Sequence, residues 1–196
     1  MLYSILRPVC ILLCKIFFGI RVYGKKNIPK KGGFILASNH CSHLDPVVLG
    51  VACPRRLNFM ARHDLFFNPF FSRLISALGA FPVRRGYADR FALREAMKRL
   101  NRREALVLFP EGARQAASGN NDAIPQAGIG FLASKLNVPV IPAYIEGTQY
   151  ALPKGARRIR PARVSVSFGE KIDIERRLPY HELAQAIMAN IRQLSC

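Results

Sequence analysis

Apolar residues in this chain fall into short runs and helical stripes that alternate. Residues 34–37 (Phe-Ile-Leu-Ala) form a short run behind Gly32-Gly33, which predicts a buried strand. Residues 47–52 follow Pro46 and precede Pro54; a proline in the first turn and a proline stop predict a helix. Strands are predicted at 20–23, 57–61, 79–83, 105–109, 138–145 and 163–168, and helices at 89–101, 128–136 and 180–194. Pro139 and Pro142 lie inside one of these runs, which predicts an edge or irregular strand. Leu65, Phe66, Phe67, Phe70, Phe71, Leu74, Ile75 and Leu78 make a stripe too rich for a standard surface helix. Core, acyl-chain groove and bilayer contact are all open readings of it. Strands alternating with helices predict one α/β domain over residues 20–196, a mixed central β-sheet flanked by helices on both sides.

Residues 1–19 carry a different pattern. Leu2, Ile5, Leu6, Val9, Leu12, Leu13, Ile16 and Ile20 recur at helical spacing, with Arg7 and Lys15 on the other face. These charges interrupt any uncharged run long enough to span a bilayer. No signal-peptide cleavage pattern is expected. Two readings stand: an amphipathic, membrane-associating helix whose basic side chains face phosphates, or a helix that covers the domain's own core.

Charge sharpens the choice of partners. Thirty Lys and Arg oppose 12 Asp and Glu, for a net charge of +18, which implies an anionic partner. Zinc-finger spacing and RNA-binding aromatic signatures are absent from the sequence, so nucleic acid is disfavoured. An anionic membrane surface suits an N-terminus that is apolar and basic together. Half the residues are hydrophobic (50%), which excludes disorder. The cysteines, Cys10, Cys14, Cys41, Cys53 and Cys196, are odd in number and show no paired metal or disulfide spacing, as expected of reduced thiols.

The candidate chemistry sits between the 34–37 run and the 47–52 helix, in Ser38-Asn39-His40-Cys41-Ser42-His43-Leu44-Asp45-Pro46. A strand-to-helix turn of an α/β sheet lies at its ligand crevice. There a neutral imidazole can take a proton from an alcohol, and a carboxylate on its other nitrogen fixes the tautomer. The plainer alternative makes Asp45 a helix cap and His40 an ordinary loop residue.

The stretch resembles the Asn-His-x-x-x-x-Asp signature of the glycerolipid acyltransferases, the lysophosphatidic-acid acyltransferase group. Three further blocks follow in family order: Gly79-Ala80-Phe81-Pro82-Val83-Arg84-Arg85, Phe109-Pro110-Glu111-Gly112-Ala113-Arg114 and Val138-Pro139-Val140-Ile141-Pro142. The resemblance covers about residues 20 to 170. It implies His40 as general base oriented by Asp45, and an acceptor phosphate held by Arg85 and Arg114, with Arg62 at a commonly basic position. It implies further that Glu111 holds a glycerol hydroxyl, while Gly112 admits close backbone approach. Arg84 stands where many relatives carry Asp, so either arginine of the pair is a candidate for the phosphate. Ala113-Arg114-Gln115 replaces the usual Thr-Arg-Ser, and Gln126-Ala127 replaces a frequent lysine; these departures bear on acceptor identity.

The implied reaction acylates 1-acylglycerol 3-phosphate to phosphatidic acid. It uses acyl-CoA or an acyl carrier protein as donor and needs no metal or other cofactor. The expected location is the cytoplasmic face of the membrane, peripheral or monotopic. Other acceptors, such as glycerol 3-phosphate, another lysophospholipid or an amino-acid lipid, remain alternatives, as does a non-catalytic basic membrane-binding module. No Gly-x-Ser-x-Gly elbow marks a serine hydrolase.

Overall fold

The apolar runs become strands covered on both faces. β2 (Phe34–Ser38) is buried at all five positions, as a strand sandwiched by helices must be. Its alternate residues enter opposite cores: Phe34 and Leu36 pack with Val48 and Leu49, and Ile35 and Ala37 pack with Leu132 and Ile187. The computed structural model describes residues 2–84, 89–112, 114, 125–153, 155–175 and 177–195.

The other strands are β1 (Arg21–Tyr23), β3 (Leu57–Arg62), β4 (Ala80–Val83), β5 (Ala105–Leu108), β6 (Val140–Glu146) and β7 (Ser165–Phe168). They form one sheet in the order β1-β7-β6-β2-β5-β3-β4. β6, β2, β5, β3 and β4 are parallel; β7 runs antiparallel to β6 and parallel to β1, so the sheet is mixed as expected. α2 (Asp45–Ala52) and α3 (Pro69–Ala77) cross over in one direction along the sheet, and α4 (Arg90–Asn101) and α5 (Ala127–Lys135) return in the other. Right-handed crossovers place the two pairs on opposite faces. α1 (Leu2–Phe18) joins the α2 face through Cys14 and Phe18, α7 (Tyr180–Arg192) joins α5, and a one-turn helix α6 (Thr148–Ala151) follows β6.

β6 is an interior strand, between β7 and β2, and not the edge or irregular strand its prolines suggest. Gly169 N–H donates to Pro142 O at 2.8 Å, so Pro142 turns its carbonyl, and with it its nitrogen, toward the β7 side. It does so where the β7 ladder ends, and its missing N–H costs no bond to β2.

α1 covers the domain's own core through Cys14 and Phe18, as the second reading of the N-terminus expects, and one part of the first reading is corrected. Arg7 does not point to a phosphate layer. Its guanidinium donates to Cys53 O at 2.9 Å and Gly50 O at 3.3 Å, at the C-terminal end of α2. Other arginines serve the same end of the domain: Arg56 donates to Ala77 O at the end of α3, Arg99 to Gly79 O, and Arg55 to Gly32 O and Arg103 O. Helices that return between parallel strands direct their C-terminal carbonyls to the strand N-terminal edge, where cations are favoured. Arg55, Arg56 and Arg99 thus line a cleft of about 590 Å³ at this edge, together with Glu95 and Glu104. Part of the +18 charge is therefore spent on helix ends and not on a partner.

Candidate active site

Parallel strands bring separate sequence blocks to one edge. Ala37 of β2 is in register with Leu108 of β5 and Pro142 of β6, so residues 38–45, 109–112 and 146–148 leave the sheet side by side at the strand C-terminal ends. β3 and β4 deliver Arg62 and Arg84 to the same edge. Asn39 staples two of these exits. Its side-chain amide donates to Ile145 O at 2.8 Å, and its Oδ1 accepts from Ile145 N–H at 2.7 Å.

The turn folds around one carboxylate. Asp45 is fully buried at the start of α2, where a negative charge is favoured. Its Oδ2 accepts from Cys41 N–H at 2.7 Å, from Ser42 N–H at 2.8 Å and from His40 Nδ1 at 2.7 Å. Its Oδ1 accepts from the Thr148 hydroxyl at 2.6 Å. The backbone N–H pair curls the chain back so that residues five apart can touch, which a straight helix does not allow. A carboxylate on Nδ1 sets the neutral tautomer with its proton there, leaving Nε2 to accept. The His40 side chain is 11% exposed, and its imidazole stacks on Phe109 at 4.1 Å between ring centroids, a contact that fixes its plane.

Glu111 reaches the turn from β5. Its Oε2 accepts from His40 N–H at 3.0 Å, so it braces the backbone beneath the imidazole. Burial pushes its carboxyl up to about 7, against the pull of that N–H. Burial, with Asp45 and Glu111 nearby, pushes the Cys41 thiol up to about 12 and keeps it protonated at neutral pH. A thiol in that state is a poor nucleophile. Gly112 adopts φ +66°, a conformation that favours glycine, and a Cβ there would meet Gln126 Cγ at 2.8 Å.

A pH signature follows from Glu111. Its native value of about 7 lies above the ordinary 4.5, so its contribution to stability is fully present below about pH 4.5 and is lost as pH rises through about 7. Thermal unfolding at a series of pH values should show Tm falling across that window by a component that Glu111→Gln removes. An identical Tm–pH slope in the variant would contradict the buried placement.

Cationic groups surround the opening. His43 is held below its ordinary value, first by partial burial and then by the positive charge of Arg114, His40 and Arg62, against the opposing pull of Asp45. Arg62 forks onto Asp64 with bonds of 2.9 and 2.6 Å, both side chains remaining exposed. Arg114 is half-buried. Arg84 donates its backbone N–H to Asp89, and Arg85 lies outside the described residues. The geometry therefore gathers His40, Asp45, Glu111, Gly112, Arg62 and Arg114 at one edge. Sequence reasoning assigned no role to Phe109, His43 or Thr148. A second histidine in the turn was the local signal for His43, and Phe109 opens the 109–114 block without a role of its own; Thr148 was marked by nothing nearby.

Comparison with known proteins relates the sequence and fold of the chain to one family. The Acyltransferase family model fits residues 19–146. A 1-acyl-sn-glycerol-3-phosphate acyltransferase of Bacillus subtilis is 27% identical over 79% of this chain and 74% of its own length. A protein of the same name from Streptococcus pneumoniae is 31% identical over 89% of this chain and 64% of its own length. Among solved structures, the crystal structure of the 1-acyl-sn-glycerophosphate (LPA) acyltransferase PlsC from Thermotoga maritima superposes with a TM-score of 0.74. It is 25% identical and is matched over 99% of this chain and 81% of that one.

Proposed function

The chain belongs to the acyltransferase family, and from that premise we propose that it transfers a fatty acyl group from an acyl thioester to the free hydroxyl of 1-acylglycerol 3-phosphate, giving phosphatidic acid. The observation that carries this reading is the 2.7 Å contact between His40 Nδ1 and buried Asp45, set at a cationic sheet edge. His40 Nε2 takes the hydroxyl proton as the acceptor oxygen attacks the thioester carbonyl. The tetrahedral intermediate then expels the thiolate, which recovers that proton from the imidazolium. Asp45 stabilises the imidazolium between these steps, and base catalysis of this kind contributes roughly 10²- to 10⁴-fold. Arg114, with Arg62 and Arg85, holds the acceptor phosphate; a guanidinium suits phosphate oxygens through paired hydrogen bonds. Glu111 supports His40 through its backbone and offers its other oxygen to a glycerol hydroxyl.

Acyl-CoA and acyl carrier protein are both anionic and both suit the basic opening. A panel of labelled donors against 1-acylglycerol 3-phosphate, glycerol 3-phosphate, a neutral lysophospholipid and an amino-acid lipid tests the proposal. Preferred acylation of 1-acylglycerol 3-phosphate is expected; preference for an acceptor without phosphate would reject the assignment of the arginines.

The same reading includes the membrane as partner, with the protein seated peripherally on its cytoplasmic face. Among the described residues no helix is long and apolar enough to cross a bilayer. Yet Ile5 and Ile16 of α1 are 62% and 68% exposed, and Phe67, just before α3, and Phe70, in its first turn, are 72% and 81% exposed. α1 and α3 share one face of the sheet and are joined through Arg56, which stacks on Tyr3 and donates to Ala77 O. Two exposed apolar helix surfaces on one side of the domain support a lipid contact there. Replacing Ile16, Phe67 and Phe70 together by serine should weaken sedimentation with anionic phospholipid vesicles by tenfold or more, since each buried side chain contributes on the order of 1.5–3 kcal/mol. Unchanged binding would place the lipid contact elsewhere.

A further inference from the structure

The fourth hydrogen bond of Asp45 comes from a segment to which the proposed chemistry gives no part. Thr148 is 103 residues away in sequence, fully buried, and aims its hydroxyl at Asp45 Oδ1 over 2.6 Å. Its placement is built. Gly147 turns the chain from β6 into α6 with φ +94°, and a Cβ there would lie 1.9 Å from Arg163 O, so the turn has no room for a side chain. The end of α6 is tied back to the same catalytic turn, because the Ser42 hydroxyl donates to Leu152 O at 2.9 Å. One short helix therefore makes two side-chain bonds to residues 42–45 and none of them is local.

We propose that Thr148 is a positioning residue for the His40–Asp45 pair. This rests on the reading of His40 as general base. A carboxylate held on one oxygen alone can rotate about its Cβ–Cγ bond and lift the other oxygen out of the imidazole plane. The Oδ2 bonds restrain that rotation from one side, and the Thr148 hydroxyl locks it from the other. It also supplies Oδ1 with a donor in a site that water does not reach, where an unmatched ionised oxygen is costly. The negative charge that stabilises the imidazolium is thus kept in line and fully solvated by protein. The titratable and charged groups acting around it are His40, Cys41, His43 and Glu111, with Arg114 and Arg62 beyond His43.

Thr148→Val keeps the volume and removes the hydroxyl. The expected result is a fall in kcat of about tenfold, the scale of one hydrogen bond to a charged group, with KM for the acceptor unchanged. The acid limb of the kcat–pH profile should move upward, because a carboxylate that has lost a donor attracts the cation beside it more strongly. Thr148→Ser, which restores the donor, should return both values toward wild type. A purely structural threonine would lower Tm without moving the limb. If Thr148→Val does not fold, Thr148→Cys, with a weaker donor, must show the same limb shift in smaller measure. Wild-type kcat and acid limb in Thr148→Val, or a Thr148→Ser variant impaired as much as Thr148→Val, would overturn the proposal. His40→Ala assayed in parallel separates the two failures: if His40→Ala stays active the base reading has failed, and if it is inactive while Thr148→Val is normal only Thr148 has.

Discussion

Replacing His40 by alanine lowers kcat by about 10²- to 10⁴-fold, the range that a positioned general base contributes, and leaves the fold in place. The imidazole lies at the edge of the sheet, its side chain 11% exposed, and its loss removes the Phe109 stacking and one of four donors to Asp45. His40 is a member of neither apolar core, and Phe109 keeps its packing against the core on the α2 face. The backbone N–H of residue 40 still reaches Glu111, so the turn keeps its brace. Acyl transfer measured with labelled donor, beside circular dichroism melting of the same preparation, checks both halves of the statement. Near-full activity in His40→Ala would remove the general base from the mechanism. Loss of activity together with loss of the cooperative melt would show that the residue holds the fold instead.

The parts of this site carried by short local patterns were open to sequence reasoning. The 34–37 run, the Pro46 helix start and the two residues between which the turn bends are all within a dozen positions. A parallel sheet then brings Glu111 and Arg114 alongside without any further information, since each follows a strand at its C-terminal end. What escaped reading depends on contacts that leave no local trace. Thr148 meets Asp45 across 103 positions, and a buried threonine after a strand looks like any other. Arg7 has the same charge whether it faces a phospholipid or the carbonyls of α2, so periodicity alone assigned it to the wrong neighbour. Pro142 argued for a sheet edge because the rule counts a missing N–H without knowing which way the nitrogen points. α1 was posed as either core cover or lipid contact, whereas a helix with apolar residues around most of its circumference can present Cys14 and Phe18 inward and Ile5 and Ile16 outward.

Substitutions of Asp45 should divide sharply by whether an acceptor remains. In Asp45→Ala the N–H groups of Cys41 and Ser42, the Thr148 hydroxyl and the His40 ring lose their common partner in a fully buried position. Each stranded donor costs about 1–3 kcal/mol, and several together approach the whole stability of a domain this size; unfolding or a severely lowered Tm is expected, with activity lost. Asp45→Asn is the informative variant. An asparagine has one acceptor and one donor end, and the two backbone N–H groups at the Oδ2 position accept no donor. They force the amide oxygen to that side, where it also meets His40 Nδ1, while the amide nitrogen faces Thr148 Oγ1, which can accept. The tautomer of His40 is therefore preserved and only the charge is lost. A hydrogen bond to a charged partner is stronger than a neutral one by an amount that corresponds to roughly 10- to 10²-fold in rate. Asp45→Asn should accordingly fold, keep its KM for the acceptor and lose that much in kcat, with an acid limb displaced downward because the imidazolium no longer faces an anion. An acid limb that stays in place would mean that Asp45 serves only to shape the turn, and that the charge beside the imidazole takes no part in moving the proton.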